Sequence, residues 1–321
     1  MAALAIATRK RPQAGTVERE GQTTGTVLMV RPARFGFHPE AARSNAFATA
    51  GEADLGTVTR EFDRLAARLD DCGVEVLVLD ELPDPPKPDS IFPNNWLSLH
   101  ADGTMVLYPM ATAARRLERD PAAVTALLER AGFVVRRVVD LTGQERDGRF
   151  LEGTGSLVLD RPLRRAFASR SARTDAAAVC AFDEALGYST FQFDAADRSG
   201  RAIYHTNVLL TLGTGFAILC SDTVPPGQRA ALIDQIASTG RELIAVGYEQ
   251  LRQFACNLIE LDGTAGPVLA LSAAARRSFE PRQVRALEQF GTLVEADIPT
   301  IEAVGGGSVR CMIAEVHLPR R

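Results

Sequence analysis

IFPNNWLSLHADGTMVLYPM, residues 91–110, reads as two short apolar strands folded back on one another through the Ala101-Asp102-Gly103 turn. Downstream, TAARRLERDPAAVTALLERAG (112–132) is helical and restarts at Asp120-Pro121, an N-cap followed by proline at the first helical position. FVVRRVVDL (133–141) is a strand again, so the unit is hairpin, helix, strand. The same order returns along the chain. GSLVLDRPLRRAFASRS gives two strands around a turn, and TDAAAVCAFDEALG (174–187) a helix stopped by glycine. IYHTNVLLTLGTGFAILC (203–220) is a hairpin through Gly213–Gly215. PGQRAALIDQIASTGRELIAV and PRQVRALEQFGTLVEADI each read as a helix and then a strand. Upstream, GTVLMVRP (25–32) is a strand, VTREFDRLAARLDDCG (58–73) a helix with apolar residues at helical spacing, VEVLVLDE (74–81) a strand and PDPPKP (83–88) a loop.

Two α/β architectures accommodate such repetition, a doubly wound sheet or ββαβ modules closed around a central axis. The many hairpins, and the lack of a phosphate-binding glycine loop after the first strand, weigh against the doubly wound sheet. Nothing reads as an interdomain linker, so residues 26–321 are expected to form one domain. Residues 1–25 are expected to form a disordered tail, because their short apolar run precedes the charges, the reverse of a secretory signal.

Composition narrows the function classes. The chain has 321 residues, 46% hydrophobic and 24% charged, as in ordinary globular proteins. A net charge of −4 gives no reason to expect nucleic acid as a partner, and no apolar run is long enough to span a membrane. The five cysteines, Cys72, Cys180, Cys220, Cys256 and Cys311, are scattered. An odd count without pairing motifs implies free thiols in a reducing, cytoplasmic setting and argues against zinc. The four histidines show no metal-ligand spacing, so no metal or cofactor is expected. The expected partner is a small-molecule amino-acid substrate, with a homo-oligomer left open.

Four polar stretches resist a purely structural reading. DSIFPNNW (89–96) packs Asp89, Asn94, Asn95 and the chain's only tryptophan beside a proline-rich loop. FLEGTGS (150–156) sets Glu152 among glycines, YHTNV (204–208) sets His205 at the start of an apolar strand, and GGGSVRC (305–311) delivers Cys311 after three glycines. Each has a bland reading taken alone: an Asx turn, a solvated turn glutamate, a core histidine, a buried thiol. Together they are a parts list for thiol-based hydrolysis.

These stretches, with ASRSARTD, resemble the guanidino-group-modifying superfamily of arginine deiminases, dimethylarginine hydrolases and amidinotransferases, from about residue 26 to the end. The branch they look most like is the citrulline ureidases. The resemblance implies a five-bladed β/α-propeller with Cys311 as nucleophile, His205 as general acid and base, and Glu152 orienting the histidine. It implies that Arg173 holds a substrate α-carboxylate and that Arg116 is a second substrate-binding arginine. Phe35, Asn45 and Phe47, just after the first strand, are candidates for the entrance to the site.

The chain departs from the guanidine pattern in two places. Asn94 and Asn95 stand where acidic residues are typical, leaving Asp89, and His205-Thr206-Asn207 replaces His-x-Asp. A buried carboxylate needs a cation, whereas asparagine supplies both a donor and an acceptor to a neutral urea. The expectation is therefore hydrolysis of the ureido group of citrulline or a close analogue through an S-carbamoyl intermediate, with the His205 imidazolium lowering the thiol pKa. The alternatives are an arginine deiminase or dihydrolase and a non-catalytic amino-acid binder.

Overall fold

The computed structural model describes residues 20–321. Residues 1–19 of the expected tail lie outside the described residues.

The first module begins with β1 (Thr26–Arg31), crosses through helix α1 (Leu55–Asp71) and returns parallel as β2 (Glu75–Asp80). α1 forms because Val58, Phe62, Leu65 and Leu69 fall on one face and are all buried. The Asp54 carboxylate accepts from the Thr57 N–H at its start. The second module is β3 (Leu97–Leu99), β4 (Thr104–Leu107), α2 (Pro121–Arg130) and β5 (Arg137–Asp140). The third is β6 (Val158–Asp160), β7 (Arg165–Arg170), α3 (Ala176–Leu186) and β8 (Ser189–Asp194). The fourth is β9 (Leu210–Leu212), β10 (Phe216–Leu219), α4 (Pro226–Ala237) and β11 (Glu242–Ala245). The fifth is β12 (Ile259–Gly263), β13 (Gly266–Ser272), α5 (Pro281–Glu288) and β14 (Thr292–Ala296).

Among the described residues these strands make five three-stranded sheets, each an antiparallel pair followed by a parallel strand. The first sheet lacks its own hairpin and takes β15 (Ala314–Glu315) from the far end of the chain, with Ala314 opposite Leu28. This contact closes the ring. The expected ββαβ modules therefore close as a five-bladed propeller. The first strand of each hairpin is short and mostly buried, while the last strands are more open to solvent, β5 most of all. The buried strands therefore face the axis, where β6 touches β9 and β15 touches β3.

Two strands expected from sequence are shorter than expected. IFPNNWLSLH contributes only β3, preceded by a 3₁₀ turn at Pro93–Asn95, and FVVRRVVDL contributes only β5. The β12–β13 hairpin was not anticipated, nor was β8.

Residues 20–25 correct the expectation of a disordered tail, because they form a plug across one end of the axis. Glu20 pairs with Arg161 at 2.6 Å and lies 3.6 Å from His100. The Gln22 amide donates to the carbonyls of Leu159 (2.9 Å) and Leu212 (3.3 Å) and accepts from the Arg161 N–H. Thr23 donates to Asp262 and Thr24 to the Val316 carbonyl. The plug thus touches all five blades. No described helix is long and apolar enough to cross a membrane.

Replacing Gln22 with Ala strands two inner-strand carbonyls and one N–H, and should cost about 1–3 kcal/mol. Urea denaturation of the full chain should show this as a lower midpoint, and an unchanged midpoint would contradict the clasp.

Candidate active site

Inner strands of the propeller are entered through short turns, and these turns carry the polar residues. Pro93–Asn95 precedes β3, Gly153–Ser156 precedes β6, Thr206–Val208 precedes β9 and Val309–Met312 precedes β15. Opposite the plug, Cys311, His205, Asn95, Asp89, Arg115, Arg173 and Asn45 line one small cavity.

Glu152 is its electrostatic centre. Its carboxylate is fully buried, accepts from His205 Nε2 at 2.8 Å and from Arg173 at 3.3 Å, and lies 3.5 Å from Arg115. Burial alone would raise the Glu152 pKa, yet Arg173, the His205 hydrogen bond and Arg115 hold it well below the usual carboxylate range. An ionised carboxylate can only accept, so His205 carries its proton on Nε2 and Nδ1 is the free nitrogen. Burial pushes the His205 pKa down to about 4, against the opposing pull of Glu152. Burial also pushes the Cys311 thiol up. Burial thus works against the charged form of both groups, and so against the thiolate–imidazolium pair expected from the sequence.

Close packing explains the glycines of FLEGTGS. A Cβ on Gly155 would lie 2.6 Å from Asn95 Nδ2 and 2.8 Å from His205 Nδ1. Gly153, at φ +46°, would put one 2.2 Å from the Asn94 carbonyl oxygen. Gly306 (φ +64°) is likewise backed by Asn45 and Ala48 of the segment after β1.

Several sequence-derived candidates come together at the cavity or at the Cys311 sulfur. Asp89 lines the cavity and accepts from His38 Nδ1 at 2.9 Å. The Asn95 Oδ1 accepts from Arg115 at 2.8 Å. Asn45 ties the covering segment to the glycine loop by donating to the Gly306 carbonyl at 3.1 Å. Arg173 lines the cavity with donors on the Ser44 hydroxyl, the Ala41 carbonyl and Glu152. Asn207 presents its Nδ2 to Cys311 Sγ at 3.7 Å.

Four other candidates do not line the cavity, and of these Phe47 opens onto a neighbouring pocket with Ser44 and Tyr204. Asn94 sits behind Asn95, accepting from its amide at 2.9 Å. Phe35 packs its ring against Gly305 instead of lining the cavity. Arg116 turns outward to Met110, Glu145 and the Phe150 ring, and its neighbour Arg115 points in. Arg115 is locked by a two-pronged contact to Glu118, 2.9 Å on each arm. Helical phase separates neighbouring arginines by about 100°, and nothing in RRLE marks which of the two faces inward.

Sequence reading also missed Asn257, whose Nδ2 is 3.3 Å from Cys311 Sγ. A signal was present: Asn95-Trp96-Leu97, Asn207-Val208-Leu209 and Asn257-Leu258-Ile259 are the same Asn-apolar-apolar step, and Cys311-Met312-Ile313 puts cysteine in the asparagine's place. Among the described residues no cluster of His, Cys, Asp or Glu is placed to hold a metal ion.

Five three-stranded blades closed as a propeller are the architecture of the guanidino-group-modifying pentein superfamily, and the chain is a hydrolase of that type. Within it, residues 31–318 match the family model described as N,N dimethylarginine dimethylhydrolase, eukaryotic, and the chain belongs to that family. No curated protein matches the chain. Similar solved structures include the substrate-bound N-terminal domain of ArgZ, an arginine dihydrolase from Cyanobacteria (16% identity, 91% of this chain and 97% of that one, TM-score 0.71). Apo ArgZ matches at 17% identity and TM-score 0.73, but this chain spans only 41% of it. A dimethylarginine dimethylaminohydrolase adduct with S-methyl-L-thiocitrulline matches at 16% identity and TM-score 0.60, over 91% of this chain and 99% of that one.

Gly155→Ala should cost about 1–3 kcal/mol through overpacking and displace the His205 ring, so that thermal stability and turnover fall together. The sign for pH follows from His205. Its folded pKa lies below the ordinary 6.5, near 4, so the unfolded chain binds the extra proton between those values. Stability should therefore decline as pH falls through that window. His205→Gln should lack this part of the decline in urea titrations across the same range.

Proposed function

We propose that the protein hydrolyses the ureido group of citrulline or a close analogue. The observation that carries this reading is that the groups flanking the sulfur are amides, while the nearby carboxylates are already paired. Asn95 lines the cavity, and Asn207 and Asn257 face Sγ. Glu152 is matched by Arg173 and Arg115, and Asp89 by His38 with Arg115. A guanidinium would enter as an unmatched cation, whereas a urea adds donors and an acceptor without charge.

The Cys311 thiol passes its proton to His205 Nδ1, and the thiolate attacks the ureido carbon. The C–N bond breaks as the His205 imidazolium protonates the departing amine, leaving S-carbamoyl-Cys311. Neutral His205 then takes a proton from water, and the hydroxide attacks the thiocarbamate carbonyl. The C–S bond breaks, and the carbamic acid released gives carbon dioxide and the second amine. Citrulline and water thus become ornithine, ammonia and carbon dioxide. Glu152 keeps Nε2 protonated and supports the transient imidazolium. Arg173 has three of its five N–H donors engaged and two left for a substrate carboxylate.

A second reading, hydrolysis of a guanidino substrate, is favoured by Asp89, the sole carboxylate among the residues lining the cavity. Assays of ornithine, citrulline and ammonia, with citrulline and arginine supplied in parallel, separate the two. The ureido reading expects ornithine from citrulline, loss by orders of magnitude in Cys311→Ala, and a roughly 10²-fold loss in Asn95→Asp. Citrulline formed from arginine, with citrulline itself inert, would establish the guanidino reading instead.

A further inference from the structure

Asn257 enters no step above, yet among the described residues its amide makes the shortest side-chain hydrogen bond to the Cys311 sulfur. It is fully buried on the turn leading into β12, so it brings the fifth blade to the reacting atom. Its Nδ2 lies 3.1 Å from the Asn207 carbonyl oxygen and 3.3 Å from Cys311 Sγ, and its Oδ1 lies 3.5 Å from the same sulfur.

These distances fix the amide's orientation. The Asn207 carbonyl can only accept, so the group facing it is the NH₂. One N–H is used there, and the other is free to point at the sulfur. When Cys311 is a thiol, its S–H donates to Oδ1. When it is a thiolate, it accepts from Nδ2. One side chain therefore serves both protonation states with a small rotation of the S–H bond.

We propose that Asn257 is a catalytic residue that holds Cys311 Sγ in line and stabilises its thiolate through a neutral N–H donor; this rests on Cys311 being the nucleophile of the proposed reaction. A neutral donor suits a site whose cations are already engaged, since Arg115 and Arg173 face Glu152. Asn207, at 3.7 Å, is a weaker companion.

Other ionisable groups surround the sulfur. His205, Asp89, Arg115, Arg173 and Tyr204 stand around the cavity, with Glu152 behind His205. Arg310 lies on the thiol's own turn, and Cys256 adjoins Asn257 in the chain. Their contributions are common to wild type and variant, so a difference between the two isolates the amide.

The test is ultraviolet titration of the Cys311 thiolate in the full chain. The spectrum of a matching Cys311→Ser chain is subtracted in each background to remove the other four cysteines. Asn257→Asp keeps the shape and replaces the donor with a repelling carboxylate. Asn257→Leu removes the polarity and retains the backbone N–H bond to Phe254 that closes the turn. Both variants should move the titration upward, by about one pH unit or more, and lower kcat far more than they raise KM. Wild-type titration in whichever variant retains its fold by circular dichroism would overturn the proposal, because a packing role alone leaves the thiol unmoved. The titration needs no substrate. A shifted thiol in a protein inert toward citrulline would therefore sink the substrate reading alone, and an unshifted thiol in an active enzyme would sink Asn257 alone.

Discussion

A carboxylate with no water contact must be matched by cations or it will not stay ionised, and Glu152 imposes that requirement on the centre of this molecule. Its partners come from different parts of the propeller. Arg115 follows β4, Arg173 follows β7 and His205 precedes β9. Arg173 in turn holds the Ala41 carbonyl and the Ser44 hydroxyl of the segment that covers the cavity. Arg115 reaches Glu118 and Asn95. One buried charge thus sets the histidine tautomer, joins three blades and connects to the cover.

Those same connections leave the reacting pair in an environment that disfavours charge. With Nε2 on Glu152, the free imidazole nitrogen is Nδ1, packed beside Gly155. The thiol is pushed up and the imidazole down by the same burial. A nucleophile in that state is protected from adventitious alkylation and oxidation, because the thiolate is the reactive form.

Much of this was legible in the sequence, and the limits have physical causes. α1 was readable because seventeen residues show a full helical period. The recurring module was readable because hairpins and helices punctuate the chain with glycine and proline. Inner strands of two to five residues cannot show a period, so IFPNNWLSLH looked like strand throughout when half of it is the turn that carries Asn95. The β12–β13 hairpin was hidden by Asp262, Gly263, Gly266 and Pro267, residues that read as loop. With it went Asn257. Arg116 was preferred to Arg115 because composition does not carry helical phase, and Glu20 looked like tail because its partners lie far along the chain at His100 and Arg161.

The recurrence of asparagine at the entrance to the inner strands gives the amide argument a structural basis. Asn95, Asn207, Asn257 and Cys311 each stand two or three residues before an inner strand and are each followed by two apolar residues that bury themselves in the surrounding core. The ring closure brings these equivalent positions toward one axis, so the residue placed there sets the charge around the sulfur while the apolar pair behind it holds the fold. Exchanging a carboxylate for an amide at such a position alters almost no volume and removes a full charge from a region of low dielectric, where an unmatched charge costs several kcal/mol. Asn95 and Asn207, two of the places where the sequence differs from the guanidine pattern, fall at such positions, so that difference leaves the blades behind them undisturbed.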